Sequence, residues 1–276
     1  MQIPKIKIFH SKIIFSLFVL FILTAVSLSA QVIPLPKAHS HNDYYRNCPL
    51  KDALRHGFTS VEADVLYIYG KLVVGHDMPD RTFPRLRPLN RQYLKPLWRR
   101  WKRGDKEIYK GYEGDFYLWI DIKSYSTQTY RELRYLLYPF REMLNYYENG
   151  KFHQGKVTVI LSGDRPFEAL LNDSLQLMTL DGRPSDLAKN YPSHLMPFIS
   201  ENAGKVAEVE DYSQVDEVAF LKISNFIKAT HDQGKKARLW ATPEDENLWK
   251  KLLEMKIDLI NTDKLSKLQR FLLKEK

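Results

Sequence analysis

A chain of 276 residues, 44% of them hydrophobic, has enough apolar mass for one large core, and its single cysteine, Cys48, excludes both an intrachain disulfide and a cysteine metal cage. The formal charge of +9 falls to about +6 once the leader lysines Lys5, Lys7 and Lys12 are subtracted. The excess gathers around Arg99-Arg100-Trp101-Lys102-Arg103, a run that suits anionic membrane headgroups, a phosphorylated substrate or plain solvent, and no recognisable module accompanies it that would make nucleic acid a partner.

In chain order, residues 1–30 read as a secretory signal peptide: a basic leader, the apolar run Ile13 to Leu23, and the small residues Ser27-Leu28-Ser29-Ala30 before a cut near Ala30-Gln31. The protein is then exported, periplasmic or secreted. Extending the run through Ala30 gives the competing reading, an uncleaved N-terminal anchor. Residues 31–276 are expected to form a single domain and a monomer. Runs rich in β-branched and aromatic residues predict strands at 37–41, 60–67, 117–123, 156–161, 196–200, 237–241 and 258–261, with a short extra strand at 72–75. Helical periodicity predicts helices at 49–56, 127–147, 166–171, 217–233 and 245–255. The stretch 78–114, rich in Pro, Arg and aromatics, reads as a long insertion or loop. Seven or eight βα units in roughly 245 residues fit a closed parallel barrel of the TIM (β/α)8 type better than an open sheet.

The polar candidates fall at the C-terminal ends of these strands, the face on which barrels build active sites. His41 closes the first strand, Glu62 and Asp64 lie on the second, Asp121 and Lys123 on the third, and Asp263 just past the last. Residues i and i+2 of a strand share a face, so Glu62 and Asp64 present two carboxylates side by side. Like charges that close are unfavourable without a cation between them, and all-oxygen ligation selects Ca2+ or Mg2+ over zinc. Imidazole suits proton transfer near neutral pH.

The ordered set His39-Ser40-His41-Asn42-Asp43, Glu62-Ala63-Asp64-Val65, Gly75-His76-Asp77, Trp119-Ile120-Asp121-Ile122-Lys123 and Asp258-Leu259-Ile260-Asn261-Thr262-Asp263 resembles the phosphatidylinositol-specific phospholipase C and glycerophosphodiester phosphodiesterase superfamily over nearly the whole mature chain. That resemblance implies a metal-dependent hydrolase, or cyclising lyase, of a small-molecule or lipid-headgroup phosphodiester. It implies that Glu62 and Asp64 are metal ligands, joined by Asp121 and by Asn42, and that His76 is one catalytic histidine. The other is His41, favoured slightly, or His39. Lys123 would approach the phosphate. Three departures stand out. The arginine usual beside the first histidine is missing, with Arg165 and Arg183 as candidates to replace it; the usual Pro-Glu-Asn-Thr segment has no clear match; and Asp121 stands where glutamate is usual.

Two other readings compete. His39-x-His41 would serve as a metal-ligand pair in an amidohydrolase-like barrel, with His194, His231 and Asp263 completing the set; or the barrel binds a phosphorylated ligand without turnover. Among the remaining residues, Asp181-Gly182-Arg183 reads as a turn, His56 as a helix cap, His153, His194 and His231 as surface or packing residues, Trp119 and Trp240 as barrel packing, and Cys48 as a partly buried thiol.

Overall fold

The computed structural model describes residues 31–78, 87–210 and 215–275. The expected signal peptide lies outside the described residues, among which no helix is long and apolar enough to cross a membrane. In order the strands are β1 (Leu35–Ser40), β2 (Phe58–Ile68), β3 (Lys71–Val74), β4 (Phe116–Ile122), β5 (Tyr146–Glu148), β6 (Lys151–His153), β7 (Val157–Gly163), β8 (Leu175–Gln176), β9 (Thr179–Gly182), β10 (Phe198–Asn202), β11 (Lys236–Trp240) and β12 (Leu259–Thr262). Eight of them, β1, β2, β4, β7, β9, β10, β11 and β12, run parallel in sequence order, and β1 pairs with both β2 and β12 to close the ring. This is the (β/α)8 barrel anticipated from the sequence. β3 lies antiparallel on β2, while β5, β6 and β8 form a separate small sheet.

Strand alternation fixes what the barrel encloses. Tyr117 and Trp119 of β4 pack with Ile160, Phe198 and Leu259 from other strands, so this face of β4 points inward and Asp121, two residues on, must too. Register then carries the pattern to its neighbours: Asp64 lies opposite Asp121, and Asp121 opposite Ser162. The interior is apolar below, around Trp119 and Phe198 with ring centroids 5.0 Å apart, and carboxylate-rich at the C-terminal mouth.

β2 outruns its parallel partners. Its last residues pair with β3 through a turn at Tyr69-Gly70, both with positive φ, the geometry of a tight two-residue hairpin. The returning chain donates from Gly75 N to Asp64 O at 3.0 Å, which brings His76 back to the mouth of the barrel.

The strands expected from sequence appear within two residues of their expected ends, but three expectations need correction. First, Asp181-Gly182 is not a turn but the end of β9, the fifth strand of the barrel. Asp and Gly disfavour strands in general; here Asp181 is buried and bonded by Ser162, Ser200 and Arg183, and a Cβ on Gly182 would collide with Ile199 and Met196. Second, the stretch 78–114 is not a structureless insertion. It holds a π-helical turn, Asn90–Leu94, running into an α-helix, Lys95–Arg103. Leu94, Leu97 and Trp101 are buried at helical spacing, so this is the crossover helix between β2 and β4, with its basic residues on the outer side. Third, the helix expected at 127–147 stops at Leu137 and gives way to a 3-10 segment containing Pro139, then to β5; proline has no N–H to donate to the carbonyl four residues back, so the α-helical ladder is interrupted there.

Candidate functional site

A cleft of about 430 Å³ opens at the C-terminal mouth, lined by His41, Asn42, Tyr45, Glu62, His76, Asp121, Lys123, Arg183, Arg238 and Trp240 among others. Two larger hollows, of about 630 and 750 Å³, lie elsewhere, and neither gathers more than one carboxylate. Glu62 and Asp121 in the lining and the buried Asp64 beside them bring a carboxylate oxygen each to within 4.8 Å of one another. Gly163, at φ +69, permits this: a Cβ there would strike Asp121 Oδ1.

The cluster carries excess negative charge. Burial, opposed by Lys123 and reinforced by Glu62 and Asp64, pushes the Asp121 carboxyl up to about 6. Burial likewise raises Asp64. At Glu62 burial also opposes ionisation, but Arg238 foremost and then His39 outweigh it and hold this carboxyl well below the usual range. Lys123 Nζ lies 3.1 Å from Asp64 Oδ2 and 3.0 Å from Asp121 Oδ1, an ion-pair distance from each. Asp64 Oδ1 is buried with no hydrogen-bond partner among the described residues, an expensive condition that a hard cation would relieve. The all-oxygen donor set fits such an ion.

His39 and His41 part company. His39 is wholly buried. Trp119 Nε1 donates to Ser60 Oγ at 2.9 Å, the Ser60 hydroxyl lies 2.7 Å from His39 Nδ1, and His39 Nε2 lies 3.0 Å from Glu62 Oε2. The chain is consistent with neutral His39 protonated on Nε2, and burial, aided by Arg238, lowers its pKa to about 3. His41 instead lines the cleft, with Nδ1 3.2 Å from Asp263 Oδ1. Burial works against its charged form, yet the bond to Asp263 and the nearby Glu62 carboxylate prevail and raise its pKa. Arg46 clamps this corner by donating to the carbonyls of Asp263 at 2.7 Å and His41 at 3.3 Å. His76 reaches the cleft from the hairpin, with Nδ1 3.0 Å from Asp77 Oδ1.

The other expected residues fall as follows. Asn42, in left-handed backbone geometry, lines the cleft and is tied to Asp64 through the Tyr44 hydroxyl, 3.0 and 2.9 Å from the two side chains. Arg183 lines the cleft, held by Asp181 and Ser162. Arg165 does not, because its guanidinium is engaged by Asp186 and by the Asp181 carbonyl, both at 2.8 Å. Trp119 is barrel packing, but Trp240 borders the cleft. His56 caps its helix as expected, and Cys48 is exposed rather than partly buried because it sits in the loop before that helix. The amidohydrolase-like ligand set does not converge: His39 is sealed beneath Glu62, His194 packs on Tyr147 of the small sheet, and His231 bonds Asp258, just ahead of β12.

Arg238 escaped the sequence reading. It is buried, donates from Nη2 to Glu62 Oε2 at 2.6 Å and from Nε to Asn261 Oδ1 at 3.1 Å, and lies 4.5 Å from the centre of the Trp119 ring. A charged residue alternating with Lys236 and Trp240, between the apolar Ala237 and Leu239, was the available signal.

Comparison with known proteins adds an independent line. Residues 26–178 match the model of the AIM6-like phosphodiesterase domain, and residues 236–266 that of the glycerophosphoryl diester phosphodiesterase family. Altered inheritance of mitochondria protein 6 of Eremothecium gossypii is 29% identical, over 88% of this chain and 71% of that one. A homolog of that protein in Arthroderma benhamiae is 27% identical, over 84% of this chain and 82% of its own. Among solved structures, a glycerophosphodiester phosphodiesterase from Parabacteroides distasonis has the same fold, with a TM-score of 0.56, 14% identity, and coverage of 87% of this chain and 97% of that one.

Proposed function

The chain belongs to the AIM6-like phosphodiesterase family, and we propose that it is a divalent-cation-dependent phosphodiesterase acting on a glycerophosphodiester or a lipid headgroup phosphodiester. The observation that carries this reading is the convergence of Glu62, Asp121, His41 and His76 in one cleft, with the buried Asp64 completing the carboxylate cluster. Glu62, Asp64 and Asp121 would hold Mg2+ or Ca2+, with Asn42 beside them. When bound, the cation would stabilise negative charge gathering on the phosphate oxygens.

The chain's own groups account for the remaining chemistry. His41 is oriented by Asp263 through Nδ1, which leaves Nε2 to exchange a proton in the cleft. His76, oriented in the same manner by Asp77, supplies the second proton-handling group. One removes a proton from the attacking hydroxyl, and the other returns one to the leaving oxygen. Lys123 and Arg183 supply cationic donors for the phosphate in place of the arginine absent beside the first histidine.

The test is cleavage of bis(p-nitrophenyl) phosphate and a panel of glycerophosphodiesters with Mg2+, Ca2+ or chelator. Turnover that vanishes with chelator and falls about 10²–10⁴-fold in His76→Ala and in His41→Ala is expected. Turnover untouched by chelator and by both substitutions would overturn the reading.

A further inference from the structure

We propose that Arg238 sets which divalent cation the site prefers, by reserving one oxygen of Glu62 so that this carboxylate ligates through the other oxygen alone. The inference rests on the proposed function in one respect, that the carboxylate cluster is where the cation binds.

The division of labour between the two oxygens is visible. Oε2 of Glu62 faces Arg238 Nη2 at 2.6 Å and His39 Nε2 at 3.0 Å, while Oε1 has no hydrogen bond among the described residues. Arg238 cannot readily swing aside, since Nε is bonded to Asn261 and the guanidinium lies against Trp119 in the barrel interior. Asp64 repeats the pattern. Its Oδ2 is approached by the Tyr44 hydroxyl at 2.9 Å and Lys123 at 3.1 Å, and its Oδ1 has no hydrogen-bond partner among the described residues.

Two of the three carboxylates therefore offer single oxygens. Ca2+ gathers six to eight oxygens and commonly takes a carboxylate through both; Mg2+ demands an octahedron and completes it with water or substrate oxygens. Single-oxygen carboxylates suit the smaller ion, and Arg238, the charged and closer of the two groups on Oε2, does most to keep Glu62 from turning both oxygens to the metal.

The experiment is calorimetric titration of the purified protein with MgCl2 and CaCl2, comparing wild type, Arg238→Met and Arg238→Lys. The readout is the ratio of the two affinities. Both ions carry the same charge, so losing a positive side chain affects them alike and cancels in the ratio. Arg238→Met is expected to shift the ratio about tenfold toward Ca2+, and Arg238→Lys, which keeps a donor to Oε2, to shift it less than about threefold. An unchanged ratio in Arg238→Met overturns the proposal. If that variant does not fold, a crystal structure of the wild type with Ca2+ decides: ligation by one Glu62 oxygen supports the proposal, and ligation by both overturns it.

Phosphodiester turnover by the same preparations separates the two readings. A shifted ratio without turnover keeps this inference and removes the phosphodiesterase assignment, and turnover with an unshifted ratio does the reverse. If neither ion binds, both readings are overturned.

Discussion

His39 and His41 stand two residues apart and meet opposite surroundings. The buried one is kept neutral beneath Glu62, whereas the cleft-facing one is paired with Asp263 and held toward its charged form. A consequence can be read in stability. Unfolded histidine titrates near 6.5 and His39 in the fold near 3, so between those values the unfolded chain binds the extra proton and stability falls as pH falls, by about 1.4 kcal/mol per pH unit. Asp121 has the opposite sign: its folded value of about 6 lies above the ordinary 3.8, so the native state binds the extra proton and gains stability as pH falls through that window. In metal-free wild type the two slopes oppose each other below pH 6. Removing one should expose the other, so denaturant midpoints of Asp121→Asn are expected to drop more steeply from pH 6 to 5 than those of wild type. Equal slopes would contradict the balance. At this scale Glu62 and Asp64 were legible because their relation is local, i and i+2 on one strand. Arg238 and Asp263 were harder to place, because their partners Glu62 and His41 lie 176 and 222 residues away in sequence.

Elements were legible where composition and geometry agree. The strands around the carboxylates are β-branched and aromatic, and they appear where expected; β9 contains Asp181 and Gly182 and was hidden because its propensity is overridden by long-range bonds and close packing. The helix Lys95–Arg103 was hidden for a different reason, since five basic residues and two tryptophans obscure a buried stripe of only a few residues. The end of β7 invites a direct test. Gly163→Ala forces a side chain into left-handed backbone and against Asp121, and it is expected to cost about 1–3 kcal/mol and to weaken metal binding. Gly70→Ala also has positive φ but nothing within 4 Å, so it should cost about 1 kcal/mol and leave the metal untouched. Calorimetry on both variants checks the pair, and equal effects on metal affinity would show that Gly163 does not make room for Asp121.

For the whole molecule, barrel closure is what turns distant motifs into one cleft: residues from β2, β4, β7 and β11 and from the segments after β1, β3, β4 and β9 meet at a single mouth. A cation bound there would tie at least two strands together and favour the closed ring over the unfolded chain. At a concentration of Mg2+ one hundred times its dissociation constant, thermal unfolding should show a gain of about 2.7 kcal/mol, reversed by chelator; no shift would mean that the cluster binds no ion. The register of β2 has a different kind of consequence. Glu62 and Asp64 face the interior because each stands an even number of residues from Ser60, so losing or gaining one residue upstream within that strand would turn both outward and bring Val61 and Ala63 in. A one-residue insertion or deletion there therefore removes both carboxylates in one step, whereas substitution can remove them only one at a time.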